Sequence, residues 1–445
     1  MREHPSPGDL ESFLQGQLSK DNVRGIVRHL IHGCSLCAAQ LELSRGRLLP
    51  HYLQGITKEA DSSYLKVLDK SLKAARHLHR EAVRAREVSA LLASGGVKAV
   101  VQDADIPLRG LGVYHALLQQ SWALRFENPR EMVSLARAAV EVAGRLDSKL
   151  YGAQRISDLQ ARAWGELANA LRVSDDFEEA GRAFGFAFEF LRQGTSDPYL
   201  KAHLYDLHAS YLGTRRQFTL AFAALDYVFE TYLDLGEEHL AGRAYIVKAI
   251  YSHYSGDSSG AVEIGEAGLE LLEKNQEPEL LFFAIHNQIQ FLLTCNRFRE
   301  AKKLFFLHQP DFQRVNGRVN QLKLRWVQAQ ISAGLGEWVS AEQGLIEVRA
   351  GLESVGMGFH AALASLDLAL LKMRRGRGSE VGNLVAEAAD VFLALGIHRE
   401  AIGCVMILRD TFEKRQGTIV LLESVIEFLR RSQIDPEARF TPRFE

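Results

Sequence analysis

Cysteine and proline are both scarce in this chain, 4 and 10 among 445 residues. The cysteines stand at 34, 37, 295 and 404, so only one close pair exists, which excludes the disulfide framework of a small secreted domain. An excess of either charge is missing too. Lys and Arg total 53 against 55 Asp and Glu, a formal net charge of -2, and that balance excludes a global basic field for nucleic acid. No apolar run approaches the roughly 18 residues of a membrane helix. Met1-Arg2-Glu3-His4-Pro5 lacks the apolar stretch of a signal peptide. The expected address is therefore the cytoplasm, with neither a membrane nor nucleic acid as a direct partner. A phosphate-cradling glycine-lysine loop and a dinucleotide fingerprint are also missing, and a Gly-x-Ser-x-Gly elbow is not expected either, so no enzyme is expected. Few prolines amid strings of Ala, Leu, Glu, Arg and Phe predict helix throughout.

What the chain does have is a beat of forty residues. Ala180, Ala221, Ala261, Ala301 and Ala341 are spaced by 41, 40, 40 and 40 positions. About sixteen positions before each stands a large residue: Trp164, Tyr205, Tyr245, Ile285 or His286, then Arg325-Trp326. Short polar or glycine turns lie between, as in Asp175-Asp176, Arg215-Arg216-Gln217, Gly256-Asp257, Asn296-Arg297 and Gly336-Glu337. A small residue at a fixed place in a second helix lets two antiparallel helices approach, and the large one fills the space beside it. One hairpin cannot bury its apolar face alone, so hairpins of this kind stack into a solenoid, and solenoids mostly bind things. A looser first hairpin is expected from Tyr114, turning at Asn128-Pro129.

In the clearest repeat, Trp164, Leu167, Ala168, Leu171, Ala180, Phe184 and Ala187 fall where a tetratricopeptide repeat places its signature. Residues 111–412 thus resemble a tetratricopeptide array lengthened to about 40 residues per repeat; a solenoid of the HEAT kind is the alternative. Gly265 and Gly268 depart from the pattern, standing where bulky or alanine residues are expected. The resemblance implies an all-α, right-handed helical-hairpin solenoid whose first helices line an inner wall. It assigns Arg162, Asn169, Arg172 and Arg243 to that wall, with His203, Asp206 and His253. Lys248, His286, Asn287, Gln290, Arg325 and Gln330 lie nearby. The preponderance of Arg, Lys, His and Asn there predicts a mildly acidic protein or peptide partner.

The first forty residues read differently. Ser6-Pro7-Gly8-Asp9 marks a helix start, with serine as cap, proline at the first helical position and a carboxylate reaching back. Leu10, Phe13 and Leu14 give an apolar face; Ser19 can cap a second helix carrying Val23, Ile26, Val27 and Leu30 into Cys34-Ser35-Leu36-Cys37. Two thiolates from one tight turn suit a tetrahedral zinc ion. His4 and His29 would complete a His4/His29/Cys34/Cys37 set, with His32 competing for the place of His29. A metal-free hairpin and a redox-active dithiol are the other readings of this pair.

The strings Asp9-Leu10-Glu11-Ser12-Phe13-Leu14-Gln15-Gly16-Gln17-Leu18 and Val27-Arg28-His29-Leu30, followed by Cys34-x2-Cys37, resemble the zinc-finger domain of bacterial anti-sigma factors. That family has three residues between histidine and first cysteine, whereas four stand here. Five positions apart on a continuous helix lie roughly 140° apart around its axis, so Gly33 must end the helix for both ligands to meet one ion. The resemblance implies a structural Zn2+ and a unit that masks a sigma factor, making the chain a bacterial transcription regulator. In the alternative, a tetratricopeptide scaffold or peptide receptor, the same unit is only structural. The expected map is thus 1–45 zinc unit, 60–110 connecting helices, 111–412 solenoid and 413–445 capping helix and tail. The basic stretch 64–91 reads as a solvated helix face, and Cys295 and Cys404 as buried structural thiols.

Overall fold

The computed structural model describes residues 5–14, 18, 19, 22, 25, 26, 80–92, 110–125, 127–273, 276–315, 317–395, 399–432 and 439–443. The described residues are helices and turns, with no strand among them. The chain divides into two compact units, Met1–Ala90 and Leu91–Glu445.

In the first unit a helix spans Pro7–Leu14, and its start is a reciprocal cap. Asp9 N donates to Ser6 Oγ at 3.1 Å, while Ser6 N donates to Asp9 Oδ2 at 3.0 Å. The Ser6 hydroxyl, donating to Asp9 Oδ2 at 2.7 Å, and then the Ser6 amide hold the Asp9 carboxyl below its ordinary range. Leu10 on this helix and Ile26 are buried together, with Phe13 and Leu18 against them. Asn22 N donates to Ser19 Oγ at 3.4 Å, which places Ser19 as the weaker cap of the second segment. His4, His29, His32, Cys34 and Cys37 all lie outside the described residues.

The second unit is a stack of helical hairpins. Its helices are α1 (Leu111–Ala123), α2 (Pro129–Gly144), α3 (Ala153–Val173), α4 (Phe177–Gln193), α5 (Pro198–Thr214), α6 (Phe218–Asp234), α7 (Glu238–Tyr254) and α8 (Ser258–Leu271). They continue as α9 (Pro278–Thr294), α10 (Phe298–Leu307), α11 (Arg318–Gly334), α12 (Trp338–Ser354), α13 (Gly358–Arg374), α14 (Val381–Ala394), α15 (Arg399–Glu413) and α16 (Ile419–Ser432). Odd and even numbers are the first and second helices of each hairpin, here A and B. From α5 to α13 the helices begin at 198, 218, 238, 258, 278, 298, 318, 338 and 358, so the forty-residue beat is two half-steps of twenty. Most are 17 residues followed by three of turn, a length of about 25 Å per helix.

The turns have one physical form. After each A helix from α3 to α13 a single residue takes a left-handed conformation: Asp175 (φ 62), Arg216 (57), Gly256 (99), Asn296 (58), Gly336 (76) and Gly376 (73). The next amide then reaches back to a carbonyl of the last helical turn, as in Gln217 N to Leu212 O (2.9 Å), Asp257 N to Ser252 O (3.0 Å), Arg297 N to Leu292 O (2.8 Å) and Glu337 N to Ser332 O (2.8 Å). This is the Schellman closure, which satisfies carbonyls that the helix end leaves orphaned. It sets the reversal that lays B against A.

All five metronomic alanines have no exposed surface, and each is the fourth residue of its B helix. Core residues form a chain of local clusters rather than one central mass, as expected where each hairpin touches only its neighbours. Gly242 and Gly268 explain one departure from the repeat pattern. A Cβ on Gly242 would stand 2.7 Å from Gly268 O, and one on Gly268 would stand 3.0 Å from Gly242 O. The α7 and α8 backbones meet there, and a side chain would separate them. Before α3, the register slip is taken up by a one-turn helix, Ser148–Tyr151, capped by Asp147. At the other end α16 packs on α13. Cys404 is buried, as expected, while Cys295 is half-buried.

Candidate binding face

Successive A helices touch one another from α1 to α11, forming a continuous row. A polar ladder runs along that row in steps of 37 residues. On the first rung Glu166 of α3 meets His203 of α5, Oε1 to Nε2 2.8 Å. On the second, Asp206 of α5 accepts from Arg243 Nη2 of α7 at 2.5 Å. The step is 37 rather than 40 because each side chain contacts the next A helix about one turn N-terminal of its own equivalent.

Glu166 and Asp206 are 8% and 5% exposed, so both carboxylates are effectively inside the protein. Burial drives the Glu166 carboxyl up, but the His203 bond and the charges of His203, Arg162 and Arg243 outweigh it and hold the group below its ordinary range. Asp206 holds the Arg243 guanidinium above its ordinary range against the pull of burial.

The third and fourth rungs change character. Ile246 and Phe283 occupy the third, both apolar, with Phe283 43% exposed. On the fourth, His286 stands where Asp206 stood two repeats earlier, and Lys323 stands where His203 and Arg243 stood. Burial first, then the Lys323 charge, pushes the His286 imidazole down to about 4. Burial likewise lowers Lys323, and burial with Lys323 lowers His360 on α13. The Lys323 ammonium lies 5.5 Å from the Phe283 ring centroid.

Beyond this stretch the row closes on a hub. Asp367 of α13 accepts from Trp326 Nε1 (2.7 Å) and Gln330 Nε2 (3.0 Å) of α11, and from Arg430 Nη2 of α16 (2.7 and 2.6 Å).

The residues expected to line the wall fall into two groups. Arg243, Lys248 and Arg325 are engaged within the array: Arg243 by Asp206, Lys248 by Asp226, and Arg325 by Glu347 Oε2 at 2.8 Å. Asn169 is buried, and its Oδ1 accepts from Arg172 Nε and Nη2 at 3.1 and 2.9 Å. Burial lowers Arg172 despite the opposing charges of Tyr251 and Asp175. Arg162 is exposed, whereas His286 and Asn287 are half-buried on the carboxylate-free rung. Sequence reasoning missed Lys323, Phe283 and His360, and it missed that Asp206 consumes Arg243. A search at a 37-residue offset would have found the pairs.

Gly256-Asp257-Ser258-Ser259-Gly260 does spell the Gly-x-Ser-x-Gly string of a nucleophile elbow, contrary to the expectation that the chain has none. Here it is the turn between α7 and α8, with a helix rather than a strand before the serine. Ser258 Oγ lies 2.9 Å from His253 Nδ1, and among the described residues no carboxylate bonds the other ring nitrogen. Asp257 Oδ1 instead caps α8 by accepting from Gly260 N at 2.8 Å. The string is a helix start.

No protein-family model matches this chain, and no curated protein matches it in sequence. Among solved structures the apo form of RapI is similar, with TM-score 0.52 and 12% identity over 81% of this chain and 94% of RapI. Aspartyl phosphate phosphatase F from Bacillus subtilis aligns at TM-score 0.48 and 10% identity, over 88% of this chain and 94% of that one. A signal transduction ATPase with numerous domains and a tetratricopeptide repeat sensor, from Pyrococcus horikoshii, aligns at 0.46 and 11%, over 94% and 75%. At such identities likeness speaks for the fold alone, and the fold is a tetratricopeptide-like helical-hairpin solenoid.

Proposed function

We propose that this chain is a non-enzymatic protein–protein interaction regulator with two binding elements. The A-helix row takes a protein or peptide. Residues 1–45 hold a structural zinc ion through His4, His29, Cys34 and Cys37 and bind a sigma factor or another transcription-related partner, in the cytoplasm of a bacterium.

One observation carries the first half. Most cations of the row are neutralised within the array, whereas Lys201 is exposed with no carboxylate partner among the described residues, on the same row as the exposed ring of Phe283. Lys201 rests only on aromatic faces, 4.8 Å from the Tyr227 ring centroid. An acidic, partly apolar segment of another protein matches such a surface. The relatedness in fold is consistent with this use, since stacked hairpins present a row of side chains too long for one small ligand.

Support for the second half is the reciprocal Ser6–Asp9 cap and the Leu10–Ile26 contact, which fit the helical hairpin of the anti-sigma resemblance. So small a unit has little core, and a metal staple would supply what packing cannot. Zinc content of the purified protein, measured beside Cys34→Ser/Cys37→Ser, tests the metal: one ion per chain lost in the variant is expected, and equal content in both refutes it. Deleting residues 1–45 tests the partner. Loss of sigma-factor capture is expected; a sigma factor retained by the deletion, or never enriched over the cysteine variant, leaves the scaffold reading in its place.

A further inference from the structure

We propose that His239 is a proton-operated latch between the start of α7 and the end of α8. Its neutral ring holds the Glu273 amide, and its protonated ring lets that amide go and turns to the Glu277 carboxylate.

The bonding of the ring fixes where its proton sits. Glu273 N lies 3.1 Å from His239 Nδ1, and a backbone amide can only donate, so Nδ1 is the bare, accepting nitrogen. The proton of the neutral ring is therefore on Nε2. That atom is buried, in a residue 6% exposed, and it has no hydrogen-bond partner. Glu277 Oε1 stands 4.0 Å from it, too far for a hydrogen bond but close enough for a small rotation to close the gap. A bare Nδ1 argues against a metal ion on Nε2, since a ligating imidazole donates from its other nitrogen. The repeat does not demand a histidine here either. Tyr199, Glu279, Val319 and Phe359 stand at the matching positions of other A helices.

A second proton has only Nδ1 to go to. There it would meet the Glu273 N–H, two donors with no acceptor between them, so the ring and that amide have to part. The charged ring then has acids to turn to. Glu237 and Glu238 flank it on α7, Glu270 and Glu273 stand at the end of α8, and Glu277 leads into α9. Arg243, the cation one turn along α7, is paired with Asp206 of α5. The phenols of Tyr199 on α5 and Tyr232 on α6 feel both Arg243 and Glu237; burial pushes each up, and they stay neutral. Burial first, helped by Arg243 and opposed by Glu277, holds the His239 imidazole below its ordinary range. A released ring takes its proton near pH 6.5 and the latched ring only below that, so the latched state loses ground as the pH falls from about 6.5. α8 has 14 residues against 17 in α5, α6 and α7. The bond from Glu273 to His239 thus ties α8 to α7 just where its own ladder stops, ahead of the start of α9.

The test follows amide hydrogen exchange in the full chain, as protection factors referenced to the intrinsic rate at each pH. Between pH 7 and pH 5, Glu273 and the last turn of α8 should lose about tenfold in protection, as loss of one hydrogen bond does. His239→Asn sets an amide oxygen where Nδ1 was and takes up no proton, so its protection there should stay level. Glu277→Gln should keep the bond at pH 7 and need a lower pH for release, because the protonated ring has lost its acid. Nitrogen NMR of the histidine rings should show the Nε2–H form of His239 at pH 7. A wild-type change below twofold, the Nδ1–H form at pH 7, an unshifted release in Glu277→Gln, or a folded His239→Asn that loses protection as wild type does overturns the inference. The wild-type and Glu277→Gln profiles decide even if His239→Asn fails to fold.

Discussion

Replacing Asp206 with alanine should loosen two repeats at once. Asp206 is 5% exposed and its Oδ2 accepts from Arg243 Nη2 at 2.5 Å across the α5–α7 contact. Charges about 4 Å apart attract by about 4 kcal/mol at an effective dielectric near 20, a gain that the desolvation of both groups largely offsets. Removing the acid alone forfeits the attraction but keeps the desolvated guanidinium, so Asp206→Ala should cost about 3–5 kcal/mol. Removing both charges with Asp206→Leu/Arg243→Met should return stability to within about 1 kcal/mol of wild type. In a stack, the loss should concentrate where the rung is broken. The suitable assay is native-state hydrogen exchange: amides of α5 and α7 should exchange roughly two to three and a half decades faster in Asp206→Ala, with α12 little changed. A loss below about 1 kcal/mol, or a double variant as unstable as the sum of its singles, would refute the claim that the rung is a buried ion pair.

The same structure makes further commitments. Gly268→Ala places a methyl 3.0 Å from Gly242 O and 3.1 Å from the Ile246 amide nitrogen, and should lower stability by about 1–3 kcal/mol in thermal melts; an unchanged melting temperature contradicts the close approach of α7 and α8. Gly336→Val forces a branched residue to φ 76 and should cost about 1–2 kcal/mol in urea titrations, whereas Gly185→Val, at an open helical site, should cost less than 1. His286, pushed down to about 4, makes the fold acid-sensitive. The unfolded chain takes up its proton near pH 6.5 and the folded one does not, so stability falls as the pH drops from 6.5 towards 4, by about 2 kcal/mol at pH 5. His286→Gln should flatten that part of the pH profile, and an identical profile counts against the burial of this ring. Glu166 acts lower on the scale: its depressed carboxyl stabilises above the ordinary carboxylate range and loses that contribution below it, so Glu166→Gln should matter at pH 7 and little at pH 3.

The helical stack was legible in the sequence because its causes are local and periodic. A buried alanine at the fourth position of each B helix and a left-handed turn residue recur at fixed spacing, and each can be read without knowing its neighbours. The Ser6–Asp9 cap was legible for the same reason, since both partners lie within one turn. The binding face was less so. Arg243, Lys248 and Arg325 look like free cations in sequence, but their partners, Asp206, Asp226 and Glu347, lie 22 or 37 residues away on other helices. The pairing step of 37 is set by how neighbouring A helices are offset, a tertiary quantity that a forty-residue repeat conceals. Gly268 reads in sequence as a departure from the pattern, and only its backbone contact with Gly242 explains it. Lys323 stood outside every motif; what distinguishes it is the identity of the residue across the rung, which becomes visible only once the rungs are known.

The central claim is that partners engage the row of A helices rather than the B helices. A photoreactive benzoylphenylalanine installed at Phe283 on α9, and separately at Ile346 on α12, both exposed positions, measures this in the full chain mixed with native lysate. The account predicts a discrete crosslinked partner from position 283 and none from position 346. Crosslinks from 346 alone, or from neither position, would contradict it.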